Sequence, residues 1–125
     1  MNNPSFASCI EVCNECAVAC DMCASACLIE QDIDKMRRCI AFDLDCAAIC
    51  RTASSFMARN SEQAQQLCVV CAHICELCAT ECEMHDMDHC RECAKACRAC
   101  ADECLKMAGK PHMGQRMASE ARANQ

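Results

Sequence analysis

Small and apolar residues recur every three or four positions along most of this chain, with charged and amide residues between them. In the first stretch the recurring residue is cysteine: Cys9, Cys13, Cys16, Cys20, Cys23 and Cys27, in steps of 4, 3, 4, 3 and 4. The same rhythm sets Cys68, Cys71, Cys75, Cys78 and Cys82 in a third stretch, and Cys90, Cys93, Cys97, Cys100 and Cys104 in a fourth. A second stretch keeps the beat with fewer thiols, through Met36, Cys39, Asp43, Cys46, Cys50, Ala53 and Met57. Residues three and four apart share one face of an α-helix, so each stretch predicts a helix with one seam at the a and d positions, where Leu or Ile ordinarily sits.

Polar breaks near 30–34, 58–62 and 84–88 separate the four stretches, which predicts helices over about 6–29, 33–58, 61–84 and 87–108. Ser8 with Glu11 reads as a capping box for the first helix, or the helix begins nearer Pro4 and Ser5. Asp32 or Asp34 is expected to cap the second, Asn60 with Gln63 the third, and Asp86 or Asp88 the fourth. Gly109 and Pro111 stop the last one. Short connections make consecutive helices antiparallel. The expected fold is therefore all-α: one antiparallel four-helix bundle over residues 1–109 with a cysteine-lined core, followed by a polar tail, 110–125. Cys68 to Cys82 against Cys90 to Cys104 reads as an internal repeat.

Composition sharpens this picture. The chain has 125 residues, 19 of them Cys, with only two Gly and two Pro. Scarce turn residues and plentiful Ala, Leu, Met, Glu, Lys and Arg favour long helices. Residues 1–8 show no basic then apolar leader, and no stretch approaches the roughly 18 uninterrupted apolar residues of a membrane helix, so we expect a cytosolic protein without a membrane span. In a reducing compartment dense cysteine signals metal or redox chemistry rather than structural disulfides. A net charge of −6 with no Trp or Tyr offers no basic stacking platform for nucleic acid.

Cysteines at CxxC and CxxxC spacing place sulfurs on adjacent turns of one helix face, separated by about two metal–sulfur bonds laid end to end. Cu(I) is soft and takes two or three thiolates, whereas structural Zn(II) takes four, so the 19 cysteines would close only about four zinc sites. Iron–sulfur clusters fit less well, because helices have already used the backbone N–H groups that usually support the cluster sulfurs. One CxxC is a weak signal; six in phase, at Cys13/Cys16, Cys20/Cys23, Cys68/Cys71, Cys75/Cys78, Cys90/Cys93 and Cys97/Cys100, are specific. A buried Cys can serve as a small hydrophobe, but an interior built almost wholly of oxidisable thiols needs another reason.

The stretches CIEVCNECAVACDMC (9–23), CIAFDLDCAAIC (39–50) and HDMDHCRECAKACRAC (85–100) resemble the four-helix-bundle copper storage proteins, in particular their cytosolic branch, over about residues 6–108. The resemblance implies a homotetramer of bundles, each filled with multiple Cu(I) ions held mainly by thiolates, that supplies or buffers copper for a chaperone or cuproenzyme. The family's His- and Asp-bearing turn near one bundle end resembles His85, Asp86, Asp88 and His89, with Met87 where a third His is expected.

His85 and His89, with Met84 and Met87, lie in the third connection, at the end that also holds Cys27, Met36 and Cys39. Imidazole and thioether are exchangeable Cu(I) ligands that would help an ion pass from solvent to the thiolates; a solvated turn is the plain alternative. All 19 cysteines are thus candidate metal ligands, joined by His85, His89, Met36, Met87 and Asp43. Asp43 lies on the seam, where an unpaired carboxylate is costly, so a partner is expected. Met57, Met107, His112, Met113 and Met117 gather near the opposite end and read mainly as packing. His73 falls off the seam. Leu67, Val70, Ile74 and Leu77 form a second apolar stripe, which suggests subunit contact or packing on a neighbouring helix.

Storage needs no catalytic residue, and we expect no enzyme. The competing readings are zinc or iron–sulfur sequestration and a thiol redox protein. The latter needs one distinctive electropositive thiol rather than many equivalent ones.

Overall fold

A computed structural model describes residues 6–109. Four helices follow one another: α1 (Phe6–Cys27), α2 (Ile33–Ala58), α3 (Ala64–Cys82) and α4 (Asp88–Ala108). Each packs on its two neighbours around a square, α1 on α2 and α4, and α3 on α2 and α4. Thiol partners on neighbouring helices give the antiparallel order. Cys27 meets Cys39, Cys16 meets Cys46, Cys46 meets Cys75 and Cys50 meets Cys71, so rising numbers on one helix face falling numbers on the next.

The helix ends are set by local hydrogen bonds more than by side-chain caps. α1 stops at Cys27, short of the expected 29, because Ile29 N donates to Ala26 O and Glu30 N to Cys27 O, a tightened last turn that cannot continue as α-helix. α3 stops at Cys82 in the same way, with Met84 N on Glu81 O and His85 N on Cys82 O. It starts at Ala64 rather than 61. Asn60 takes a left-handed backbone (φ 54°), a conformation its short polar side chain tolerates, and Ser61 Oγ then accepts from Gln63 N at 3.1 Å. The anticipated Asn60/Gln63 cap is therefore not made, and neither Asp32 nor Met87, the residues at the N-caps of α2 and α4, makes a side-chain cap bond. Asp34 and Asp88 instead pair with Arg37 and Arg91 one turn on, each at 2.8 Å. Ser8 lies inside α1 and donates to Glu103 rather than capping. Gly109 closes α4, its N–H on Leu105 O; Pro4, Ser5, Pro111, His112, Met113, Met117 and the tail lie outside the described residues.

All 19 cysteines are buried, and their seams form the axis of the bundle. Small residues stand beside the seam on every helix: Ala17 and Ala24, Ala47, Ala72 and Ala79, Ala94 and Ala101. With Ala at the helix–helix contacts the backbones approach closely, and a side chain as short as Cys then suffices to fill the middle. Phe6, Met57 and Met107 are buried at one end and Met36 at the other. Among the described residues no helix is long and apolar enough to cross a membrane.

Candidate metal centre

The periodicity that builds each helix also fixes where its sulfurs lie. Within a helix, thiol contacts join residues four apart: Cys9 and Cys13 at 4.0 Å, Cys16 and Cys20 at 4.0 Å, Cys46 and Cys50 at 3.9 Å, Cys93 and Cys97 at 3.9 Å. Between helices the sulfurs come closer still, with Cys46 to Cys75 and Cys100 to Cys13 both at 3.5 Å. Thiols also reach across the diagonal of the square, from α2 to α4, at 3.8 Å for Cys46 and Cys97 and for Cys50 and Cys100.

These contacts organise the sulfurs into overlapping tetrads whose ligand atoms lie within 4.8 Å of one another, among them Cys13/Cys71/Cys100/Cys104, Cys16/Cys46/Cys50/Cys75, Cys16/Cys20/Cys46/Cys97, Cys20/Cys78/Cys93/Cys97 and Cys23/Cys27/Cys39/Cys90. Each of these contains one CxxxC pair, and none of them contains both members of a CxxC pair. Residues four apart differ by only about 40° around the helix and close a cluster, while residues three apart differ by about 60° in the other sense and carry the seam from one cluster toward another. Cys16, Cys20, Cys46 and Cys97 each belong to two of these tetrads, so the three middle clusters are joined through shared sulfurs, and the Cys50–Cys100 contact at 3.8 Å brings the Cys13/Cys71/Cys100/Cys104 cluster against them.

Asp43 interrupts the sulfur on α2. Its Oδ1 accepts from Cys78 at 3.2 Å, Cys93 at 3.3 Å and Cys82 at 3.7 Å, and its Oδ2 from Cys39 at 3.9 Å. The expected partner is thus three helices' worth of thiols. Burial, with the nearby Cys93 sulfur, pushes the Asp43 carboxyl up to about 10. Burial likewise pushes the Cys90 thiol up to about 12 and raises Cys27, while hydrogen bonds from neighbouring thiols lower Cys39 and Cys68.

At the end formed by the α1–α2 and α3–α4 connections the ligand chemistry changes. His89 Nδ1 faces three thiols, Cys23 at 3.6 Å, Cys90 at 3.6 Å and Cys27 at 3.8 Å, while its Nε2 meets Glu30 Oε2 at 2.8 Å. His85 Nε2 meets Glu81 Oε2 at 3.0 Å, and Glu81 Oε1 also pairs with Arg38 Nε at 3.2 Å. Met87 packs partly buried against the core and Met36 is fully inside it, whereas Met84, Asp86 and Asp88 are exposed. Glu30, Glu81 and Arg38 were missed by reading the sequence, since they lie off the seam and only the fold brings them to the imidazoles. At the opposite end Cys68 Sγ lies 3.6 Å from Met57 Sδ, which adds a thioether to the edge of the sulfur core. His73 is exposed on α3, away from the thiols. In the apolar stripe of α3, Leu67 and Ile74 pack against the core, while Val70 and Leu77 are exposed.

Residues 2–109 match the copper storage protein family. The chain is similar to the uncharacterized cysteine-rich protein YhjQ of Bacillus subtilis (strain 168), 46% identical over 84 residues that span 67% of this chain and 78% of that one. Among solved structures it is similar to the Cu(I)-bound copper storage protein BsCsp3 of Bacillus subtilis, with 44% identity, a TM-score of 0.80, and coverage of 83% of this chain and 98% of that one. It is similar also to a cytosolic copper storage protein of Streptomyces lividans holding five coppers: 36% identity, TM-score 0.82, coverage of 85% and 93%. Another structure of the Streptomyces lividans protein is loaded with 10 copper equivalents.

Proposed function

Since the chain belongs to the copper storage protein family, we propose that its sulfur interior is a high-capacity store for Cu(I), filled by thiolate coordination and without turnover. One observation carries this reading: 19 buried thiols gathered into clusters along the bundle, three of which share sulfurs. Zinc would need closed, separate tetrahedra, but here Cys16, Cys20, Cys46 and Cys97 each serve two clusters at once.

Each Cu(I) that binds two thiols releases two protons and leaves a two-coordinate anion, which a low-dielectric interior disfavours. Sharing sulfurs relieves this. As one thiolate bridges two ions, the array approaches one Cu(I) per Cys and therefore electrical neutrality, so filling the connected clusters is favoured over isolated sites. All 19 cysteines are proposed as ligands. His89 and His85, with Met36 and Met87 nearby, are proposed to serve ions passing between solvent and the thiolates, being exchangeable donors at one end of the axis. Asp43, held by four thiols, is proposed to remain a hydrogen-bond acceptor until neighbouring sites fill, when it can add a carboxylate oxygen.

By likeness to the Streptomyces lividans protein, described as cytosolic, the store is proposed to work in the cytosol. A homotetramer is proposed on the family resemblance, with the exposed Val70 and Leu77 of α3 among the surfaces available for subunit contact. Exchange with a copper chaperone or a cuproenzyme would supply and empty it.

The test is stoichiometry. Titration of the reduced chain with Cu(I) should continue far beyond four equivalents, with near-ultraviolet thiolate-to-copper bands growing as free thiol disappears; the absence of Trp and Tyr leaves those bands unobscured. Saturation at about four ions, or displacement of Cu(I) by equimolar zinc, would replace storage with a set of tetrahedral sites.

A further inference from the structure

The two histidines at the His89 end are held by different means, and the difference singles out a residue that the thiol pattern does not contain. Glu81, the carboxylate on His85, is shared with the Arg38 guanidinium, which itself lies over the Phe42 ring. Glu30, the carboxylate on His89, sits in the α1–α2 connection, and its main-chain N–H donates to Cys27 O at 3.2 Å. The backbone of Glu30 is thus tied to a residue whose thiol faces the same imidazole.

A carboxylate oxygen offers lone pairs only, so the 2.8 Å contact between Glu30 Oε2 and His89 Nε2 requires the proton on Nε2. In the neutral ring the lone pair then falls on Nδ1, the atom that faces Cys23, Cys27 and Cys90. The opposite tautomer would set two lone pairs against each other at Nε2 and turn an N–H toward the sulfurs. We propose that Glu30 is the positioning residue that fixes the tautomer and ring plane of His89, so that Nδ1 meets an ion at the Cys23/Cys27/Cys90 cluster as a ready donor. The inference rests on the storage reading only for the ion that Nδ1 would meet. A carboxylate behind a ligating imidazole fixes its orientation and raises its basicity, and loss of such a partner commonly costs 10- to 100-fold in affinity or rate.

The apo, reduced, 15N-histidine-labelled chain tests the first half without any metal. Long-range proton–nitrogen correlation should show His89 protonated on Nε2. Glu30→Ala should give a mixture of tautomers, and Glu30→Gln, whose amide oxygen still accepts, should restore the single form. With the Cu(I)-loaded chain, transfer of copper to excess sulfonated bathocuproine should slow about tenfold in Glu30→Ala, recover in Glu30→Gln, and show no further change when Glu30→Ala is added to His89→Ala. A wild-type His89 protonated on Nδ1, a Glu30→Ala chain with unchanged tautomer, or additive effects of the two substitutions would overturn the proposal. If the tautomer followed Glu30 as stated while capacity stopped at four ions, the positioning of His89 would stand and the storage reading would fall.

Discussion

The Cys78 thiol donates to Asp43 Oδ1 at 3.2 Å in the middle of the sulfur axis, where the rhythm of α2 would otherwise place another cysteine. A protonated, hydrogen-bonded carboxyl is compatible with that setting; a bare carboxylate is not.

Stability should therefore depend on pH through Asp43. Its carboxyl is raised to about 10 by burial, against an ordinary value of 3.8, so between those values the unfolded chain gives up a proton that the folded apo chain keeps. Stability from this group is complete below about pH 4 and is lost as pH rises toward 10. Asp43→Asn cannot ionise, and we expect it to be more stable than wild type at pH 7 by up to about 4 kcal/mol, with the gap closing at pH 4.5. Urea denaturation of both reduced apo chains at the two pH values measures it; equal gaps at both would contradict the assignment.

The apo chain should already be a folded bundle. Helix–helix contacts through Ala and buried thiols exist without metal, so helical circular dichroism should change little on loading. A coil-like apo spectrum that turns helical only with copper would show that the metal drives folding, as in small zinc modules.

Replacing His85 and His89 together with Ala should slow copper loading or removal while most of the capacity remains, because thiolates supply the bulk of the sites. Stopped-flow transfer to a Cu(I) chelator reads the rate and end-point titration reads the capacity. Collapse of the capacity would show that this end organises the whole store.

Cys46 is a junction, with sulfurs of Cys16, Cys50, Cys75 and Cys97 within 3.9 Å. Cys46→Ala should cost about 1 kcal/mol of apo stability, the scale of a small buried truncation, yet should remove more than one bound Cu(I), since the lost sulfur belongs to two clusters. Cys68→Ala, at the edge of the core, should remove fewer. Metal analysis of saturated variants separates the two; equal losses would argue against sharing.

Four helices, their order and the inward seam were legible in the sequence, because steps of three and four admit one helical face and short connections admit one antiparallel arrangement. The donor type was legible too, since 19 thiols on such faces have few chemical uses. Helix ends were less so: the left-handed Asn60 and the tightened turns after Cys27 and Cys82 are main-chain arrangements that capping patterns do not reveal. Only the tertiary structure decided which sulfurs share a cluster, because that depends on the axial offset between helices and on their close approach through Ala. It also decided that Asp43 would meet Cys78 and Cys93, and that His89 would stand between Glu30 and three thiols. Apart from Cys90, which adjoins His89, those partners are separated by 35 to 66 positions, and no local periodicity carries information about a contact made across the bundle.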